Sequence, residues 1–153
     1  MAFFRRIRTS MLYIPGHTPR MFAKATELKA DAVIFELQEA VPDTEKARAR
    51  EFVQEALKTT DFKGMERTVR INFLDSEYAE KDIEAMVDAQ PDALVVPKCH
   101  GPNEIETAAR LLNKYETGSS KGKIKIIKGF AKPFKQNEAG IKWWDDTKMG
   151  NKN

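Results

Sequence analysis

The 153-residue chain contains a single cysteine, Cys99. One thiol cannot form an internal disulfide, so nothing points to secretion. No apolar run approaches the roughly 20 residues that a membrane helix needs, and a membrane is not expected as a partner. The chain also lacks a P-loop, a GxGxxG turn and any Cys/His spacing suited to zinc. Cys99 is followed by His100, but neighbouring strand residues point to opposite sides, which argues against a Cys–His nucleophile pair. Acidic residues become scarce towards the end. From Lys121 onward nine lysines stand against Glu138, Asp145 and Asp146, so the net charge of +3 resides in the tail and the body is slightly acidic. The tail reads as a solvated segment, with binding to an acidic surface or nucleic acid as the alternative. It carries Phe130, Phe134, Trp143 and Trp144 but no recognised nucleic-acid motif, and nucleic acid is not expected as a partner. The start, MAFFRRIRTS, is basic, apolar and free of acids. A cytoplasmic protein is the preferred reading, with a mitochondrial one second.

What is present is an alternation. Short β-branched stretches at 10–16, 31–38, 67–74, 92–98 and 123–130 read as strands. Between them, amphipathic segments at 18–30, 43–59, 76–89 and 101–116 read as helices. Thr18, Asp43 or Thr44, and Ser76 are the expected helix openers. The apolar stripes are Met21, Phe22, Ala25 and Leu28; Ala49, Phe52, Val53, Ala56 and Leu57; and Ala79, Ile83, Met86 and Val87. Four strand–helix units and a fifth strand predict an α/β fold built on a parallel sheet with covering helices. An open doubly wound sheet and a (β/α)8 barrel both fit, although a complete barrel typically takes about 250 residues. After Phe130 no apolar period survives. Residues 131–153 are expected to form an irregular basic tail, which Trp143 and Trp144 could pin to the body.

In either architecture the carboxyl ends of the strands carry the site. Those ends offer His17; Glu36, Gln38 and Glu39; Arg70, Asn72 and Asp75; Lys98, Cys99 and His100; and Lys128. Period-two alternation puts Val69 and Ile71 on one side of the third strand and Arg70 and Asn72 on the other. An arginine within a strand needs an anion or a solvated lumen, since burying it unpaired is costly. Its planar fork suits a carboxylate, and an ion pair with Glu36 or Glu39 is the competing explanation. Lys98 is a candidate to steady an oxyanion or phosphate, or else a plain surface lysine. For His17 and His100, capping or solvent exposure competes with any catalytic role.

The run RTSMLYIPGHTPRMFAKATELKADAVIFELQEAVPDTEKARAREFVQEAL, followed by VRIN and then DALVVPK, resembles the citrate lyase beta subunit-like branch of the HpcH/HpaI aldolase family, over roughly residues 8–116. The resemblance implies a (β/α)8 TIM barrel, present here as about four β/α units plus a fifth strand over 1–130. It implies a Mg2+-dependent carbon–carbon lyase acting on acyl-CoA thioesters of hydroxy-dicarboxylic acids, as malyl-CoA and citramalyl-CoA lyases do. It makes Arg70 the residue that grips the substrate carboxylate and gives Glu36, Gln38 and Glu39 a supporting role around the metal. Where the family has Asp-Leu-Glu-Asp-Ala-Val, this chain has Glu36-Leu37-Gln38-Glu39-Ala40-Val41. An amide replaces the middle acid and removes one charge that a hard cation would use. The family's direct metal ligands end strands five and six. Here strand five runs into Lys128, Gly129 and Phe130, and strand six is missing. No direct metal ligand and no catalytic residue is therefore assigned. The expectation is a truncated member of the family, weak or inactive alone. One alternative is a non-catalytic half-barrel associating with itself, as a homo-oligomer, or with a full-length relative. Another is a small open-sheet domain that binds an anion at Arg70 and Lys98.

Overall fold

The computed structural model describes residues 8–118 and 121–129, so the tail at 131–153 and the basic start at 1–7 lie outside it. Five short strands run through it: β1 (Met11–Pro15), β2 (Ala32–Glu36), β3 (Glu66–Arg70), β4 (Ala93–Val96) and β5 (Lys125–Lys128). All neighbours pair in parallel, in the order β1-β2-β3-β4-β5. A doubly wound sheet reverses its strand order at a switch point. The described sheet contains no such reversal: its five strands follow one another in chain order. The helices are α1 (Arg20–Ala25), α2 (Lys46–Thr59), α3 (Ala79–Ala89) and α4 (Pro102–Tyr115).

All four helices pack on one face of the sheet. Ile14, Val33, Phe35, Val69, Ile71, Leu94 and Val96 point that way and meet Phe22, Val53, Ile83, Met86, Ala108 and Leu112. Phe35 is fully buried and stands nearly perpendicular to the rings of Phe22 and Phe62, with ring centres 5.2 and 5.4 Å away. The other face carries Ala32, Ile34 and Glu36 on β2, and Glu66, Thr68 and Arg70 on β3. Both faces of β2 are closed to solvent, which is why its sequence is an unbroken apolar run and not an alternation.

The expected helices shrink, α2 and α3 at their starts and α1 chiefly at its end. Residues 18–30 give only the six-residue α1, which no Thr18 side chain caps. Fewer than two turns bury one face, so Phe22 and Ala25 are covered while Met21 and Leu28 stay exposed. The second helix opens as a 3-10 turn, Asp43–Glu45, without a side-chain cap from Asp43 or Thr44. Ser76 does not open α3; its hydroxyl donates to the Phe73 carbonyl at 2.6 Å, and the helix begins three residues later. The stripes of α2 and α3 are buried as expected, Phe52 only partly.

Asp31 ties the entry of β1 to that of β2. Its Oδ2 accepts from the Thr9 amide at 2.8 Å, the Thr9 hydroxyl at 2.6 Å, and the Ser10 amide and hydroxyl at 2.8 and 3.1 Å. These bonds, the Thr9 hydroxyl foremost, hold its carboxyl down from 3.8 to about 2. A carboxyl whose pKa is lower in the folded state contributes stability above its unfolded value and loses it as pH falls towards the folded one. Asp31→Asn is therefore expected to flatten the loss of stability between about pH 4 and pH 2, measured as the denaturant midpoint against pH. Equal acid limbs in the two proteins would show that this turn does not matter to folding.

Candidate functional site

The charged residues of the acidic turn and of the arginine strand meet because β2 and β3 end level. In the parallel register Glu36 is the partner of Arg70, and β1 adds Pro15 to the same row. Arg70 Nη1 donates to Glu36 Oε2 at 2.8 Å and lies 3.7 Å from Glu39 Oε2. Glu36 turns its other oxygen back on its own loop, where Oε1 accepts from the amides of Gln38 at 2.7 Å and Glu39 at 3.2 Å. The ion pair weighed against an anion grip thus exists, yet it occupies only one nitrogen of the fork. Arg70 Nε and Nη2 have no hydrogen-bond partner among the described residues, and the side chain keeps 18% of its exposure. A guanidinium carries five N–H donors, so the pair with Glu36 holds the fork in place and leaves donors of it without a partner among the described residues.

The turn after β2 is fastened from behind. Lys46, almost fully buried at the start of α2, donates to the carbonyls of Leu37 at 3.1 Å, Gln38 at 2.9 Å and Val41 at 3.2 Å. Its ammonium also lies 5.4 Å from the centre of the Tyr78 ring. Burial pulls its pKa below 10.5, against the charges of Asp43, Asp82 and Glu36. Asn72 Nδ2 gives the Leu37 carbonyl a second donor at 3.0 Å. Both the amide and Nδ2 of Asn72 donate to Asp82 Oδ2, at 2.9 and 2.7 Å, while Arg50 Nη1 holds Asp82 Oδ1 at 3.1 Å. Burial raises the Asp82 carboxyl in spite of these donors. Asn72 was expected beside Arg70. Since β3 stops at Arg70, the alternation stops there too, and Asn72 turns to α3.

The remaining candidates are dispersed. The Lys98 ammonium sits 4.5 Å from the centre of the Phe73 ring, on a residue in the left-handed region at φ 49°, and makes no polar contact with Arg70, Glu36 or Glu39. His100 is exposed and its backbone amide meets Glu104. Burial raises the Cys99 thiol, whose Sγ contacts the Val96 carbonyl. His17 departs from the expected capping or exposure, because its Nδ1 is buried without a partner.

Three contributors were missed. Lys46 opens a helix, where the macrodipole disfavours a cation; that misfit was the available signal for an anchoring role. Asp82 lies on the buried stripe of α3 one residue before Ile83 and gave no signal in the sequence. Tyr13 is an exposed tyrosine two residues before Pro15, on the face of Glu36 and Arg70.

A metal site is not complete among the described residues. They contain no group of three or more His, Cys, Asp or Glu side chains placed to hold an ion. Both oxygens of Glu36 are already committed, and Gln38 Oε1, buried without a partner, is an acceptor suited to a water and not to a bare cation. At the end of β5, Gly129 donates to the Val96 carbonyl at 2.7 Å, and a Cβ there would lie 2.6 Å from that oxygen. No carboxylate side chain can emerge from that position without moving the backbone.

The fold and this edge define an α/β protein with a sequentially wound parallel sheet whose charged groups gather at the strand ends, an arrangement similar to the TIM-barrel-type CitE structures. Residues 9–130 match the family described as HpcH/HpaI aldolase/citrate lyase, and the chain belongs to it. It is 41% identical over 103 residues to a (3S)-malyl-CoA thioesterase of Cereibacter sphaeroides, covering 67% of this chain and 36% of that protein. Against the citrate lyase subunit beta of Leuconostoc mesenteroides subsp. cremoris it is 42% identical over 106 residues, which is 69% of this chain and 33% of that protein. The chain thus spans about a third of the length of these curated relatives. Among solved structures, CitE of Mycobacterium tuberculosis in complex with magnesium and acetoacetate superposes with a TM-score of 0.58 at 26% identity, covering 68% of this chain and 42% of that one. No helix among the described residues is long and apolar enough to cross a membrane.

Proposed function

We propose that this chain carries the carboxylate-gripping part of a carbon–carbon lyase for acyl-CoA thioesters of hydroxy-dicarboxylic acids, arranged as the first units of a (β/α)8 barrel. The observation that carries the reading is Arg70. It is mostly buried, oriented by Glu36 through one nitrogen, and has two further nitrogens without a partner among the described residues. Such a fork has the geometry to take a carboxylate through two parallel hydrogen bonds. Kinship with proteins named malyl-CoA thioesterase and citrate lyase subunit beta supports a free carboxylate on an acyl chain as the recognised group.

Magnesium belongs to this reading through the CitE complex that contains it. When bound it would polarise a carbonyl or enolate oxygen of the substrate. The described residues do not fit direct coordination, so no step is drawn through the ion. Their share is to orient the substrate: Glu36 sets the angle of the fork, Lys46 and Asn72 hold the turn that carries Glu36, and Gln38 offers an acceptor beside it. Lys98 stays in the proposal only as a distant anion contact, since its ammonium rests on Phe73. The 153 residues by themselves are expected to bind the carboxylate and to turn over little thioester.

The test is calorimetric titration with L-malate and with its uncharged dimethyl ester, each with and without Mg2+, together with a malyl-CoA cleavage assay. Saturable binding of L-malate with no binding of the ester is the expected outcome, along with little or no cleavage. Equal binding of acid and ester, or no binding of either, would remove the carboxylate grip. Substantial cleavage by this chain alone would overturn the orienting role.

A further inference from the structure

The register of the first three strands places a second polar group on the face of Arg70, across β2 from it. Pro15, Glu36 and Arg70 form one row across β1, β2 and β3, and Tyr13, Ile34 and Thr68 form the next. Side chains two residues apart along a strand share a face, so Tyr13 projects on the side of Glu36 and Arg70, away from the helices. Glu36 is the diagonal neighbour of Tyr13 on the adjacent strand, a spacing of about 7–8 Å that aromatic and long side chains span, and Arg70 lies one strand further on the same face. Ile34 and Thr68 of its row are buried, whereas Tyr13 is 53% exposed. Its hydroxyl has no hydrogen-bond partner among the described residues, although the charges of Arg70 and Glu36 both act on it. A half-exposed phenol on the face of the ion pair that bonds to neither member is placed to meet what they meet.

We propose that the Tyr13 hydroxyl donates a hydrogen bond to the same carboxylate that Arg70 holds, so that the anion is gripped by a guanidinium from β3 and a phenol from β1. The inference rests on the Arg70 reading and adds a ligand-binding residue to it. A neutral donor suits this position. Glu36 and Glu39 already set two negative charges against one positive charge, and a phenol adds a bond to the anion without taking Glu36 away from Arg70. The group is protonated at neutral pH, and its titration is raised chiefly by burial, then by Glu36, against the opposing effect of Arg70.

L-malate binding is measured by calorimetry for the unmodified chain, Tyr13→Phe, Arg70→Ala and the double variant. Tyr13→Phe is expected to bind about tenfold more weakly, the size of one lost hydrogen bond to a charged group. Its unfolding midpoint is expected to be unchanged, because the hydroxyl has no protein partner. In the Arg70→Ala background the same substitution should have much less effect. The second readout is the absorbance titration of tyrosinate near 295 nm. Saturating L-malate is expected to move one phenol to higher pH, because the bound anion favours the protonated hydroxyl, and that movement should vanish in Tyr13→Phe. If Tyr13→Phe binds as the unmodified chain does while Arg70→Ala loses binding, the phenol contact is wrong and the guanidinium grip stands. Undiminished binding in Arg70→Ala removes both.

Discussion

Arg70→Ala is expected to weaken L-malate binding at least about 100-fold, the loss typical of truncating one partner of a desolvated charge pair. The size follows from geometry. The guanidinium is mostly buried and already oriented by Glu36, so little order has to be gained when a carboxylate arrives. The fold should survive, because Glu36 keeps the amides of Gln38 and Glu39 on Oε1 after the arginine is gone. Arg70→Lys separates charge from shape: it returns the charge without the two-pronged fork and is expected to recover binding only in part. Calorimetry gives the affinities, and circular dichroism at the same temperature establishes that the variants are folded. Recovery of full affinity by the lysine would show that the site needs only a positive charge. Unchanged affinity in the alanine variant would show that the open nitrogens of Arg70 face no ligand.

Lys46→Met should destabilise the fold by about 3 kcal/mol, read from chemical denaturation. Methionine matches the length and apolar character of the side chain, so packing is largely retained and the loss comes from the ammonium. Three buried carbonyls converge on that group. Without it, Leu37 keeps the Asn72 amide as a donor, while the side-chain donor to Gln38 and Val41 is gone. The effect should reach the site. The loosened turn carries the amides that hold Glu36, and Glu36 orients Arg70, so L-malate affinity should fall along with stability. Lys46→Arg keeps the charge but brings a planar group where carbonyls converge on a point, and it should restore stability only partly. A methionine variant as stable as the parent would show that water satisfies these carbonyls and that the lysine is not an anchor.

Much of the candidate site was legible before any fold was known, and the reason differs from residue to residue. Glu36, Gln38 and Glu39 stood out because acids and amides at the end of an apolar strand have no packing role. Arg70 stood out because an arginine inside a strand needs a partner. The strand–helix alternation was legible for a similar reason: periods of two and 3.6 are written locally. The short α1 was not, since whether Leu28 is covered depends on what lies beneath it. The turn of Asn72 towards Asp82 was not, since it depends on where β3 ends. The resting place of the Lys98 ammonium over the Phe73 ring was not legible either, since it is a contact between residues 25 positions apart in the chain.

By itself, the amino-acid order determined the parallel α/β class, the buried stripes of α2 and α3, the family, and the chemical kinds of group available for a site. Local periodicity and side-chain chemistry suffice for those. Tertiary structure alone decided that the strands follow one another without a switch point, that Glu36 takes one nitrogen of Arg70 and leaves two, that a lysine at a helix start ends among three carbonyls, and that Tyr13 shares their face. Each of these depends on the register between strands and on which helix covers which turn. Register is settled when many distant contacts are satisfied together, and no single stretch of chain encodes it.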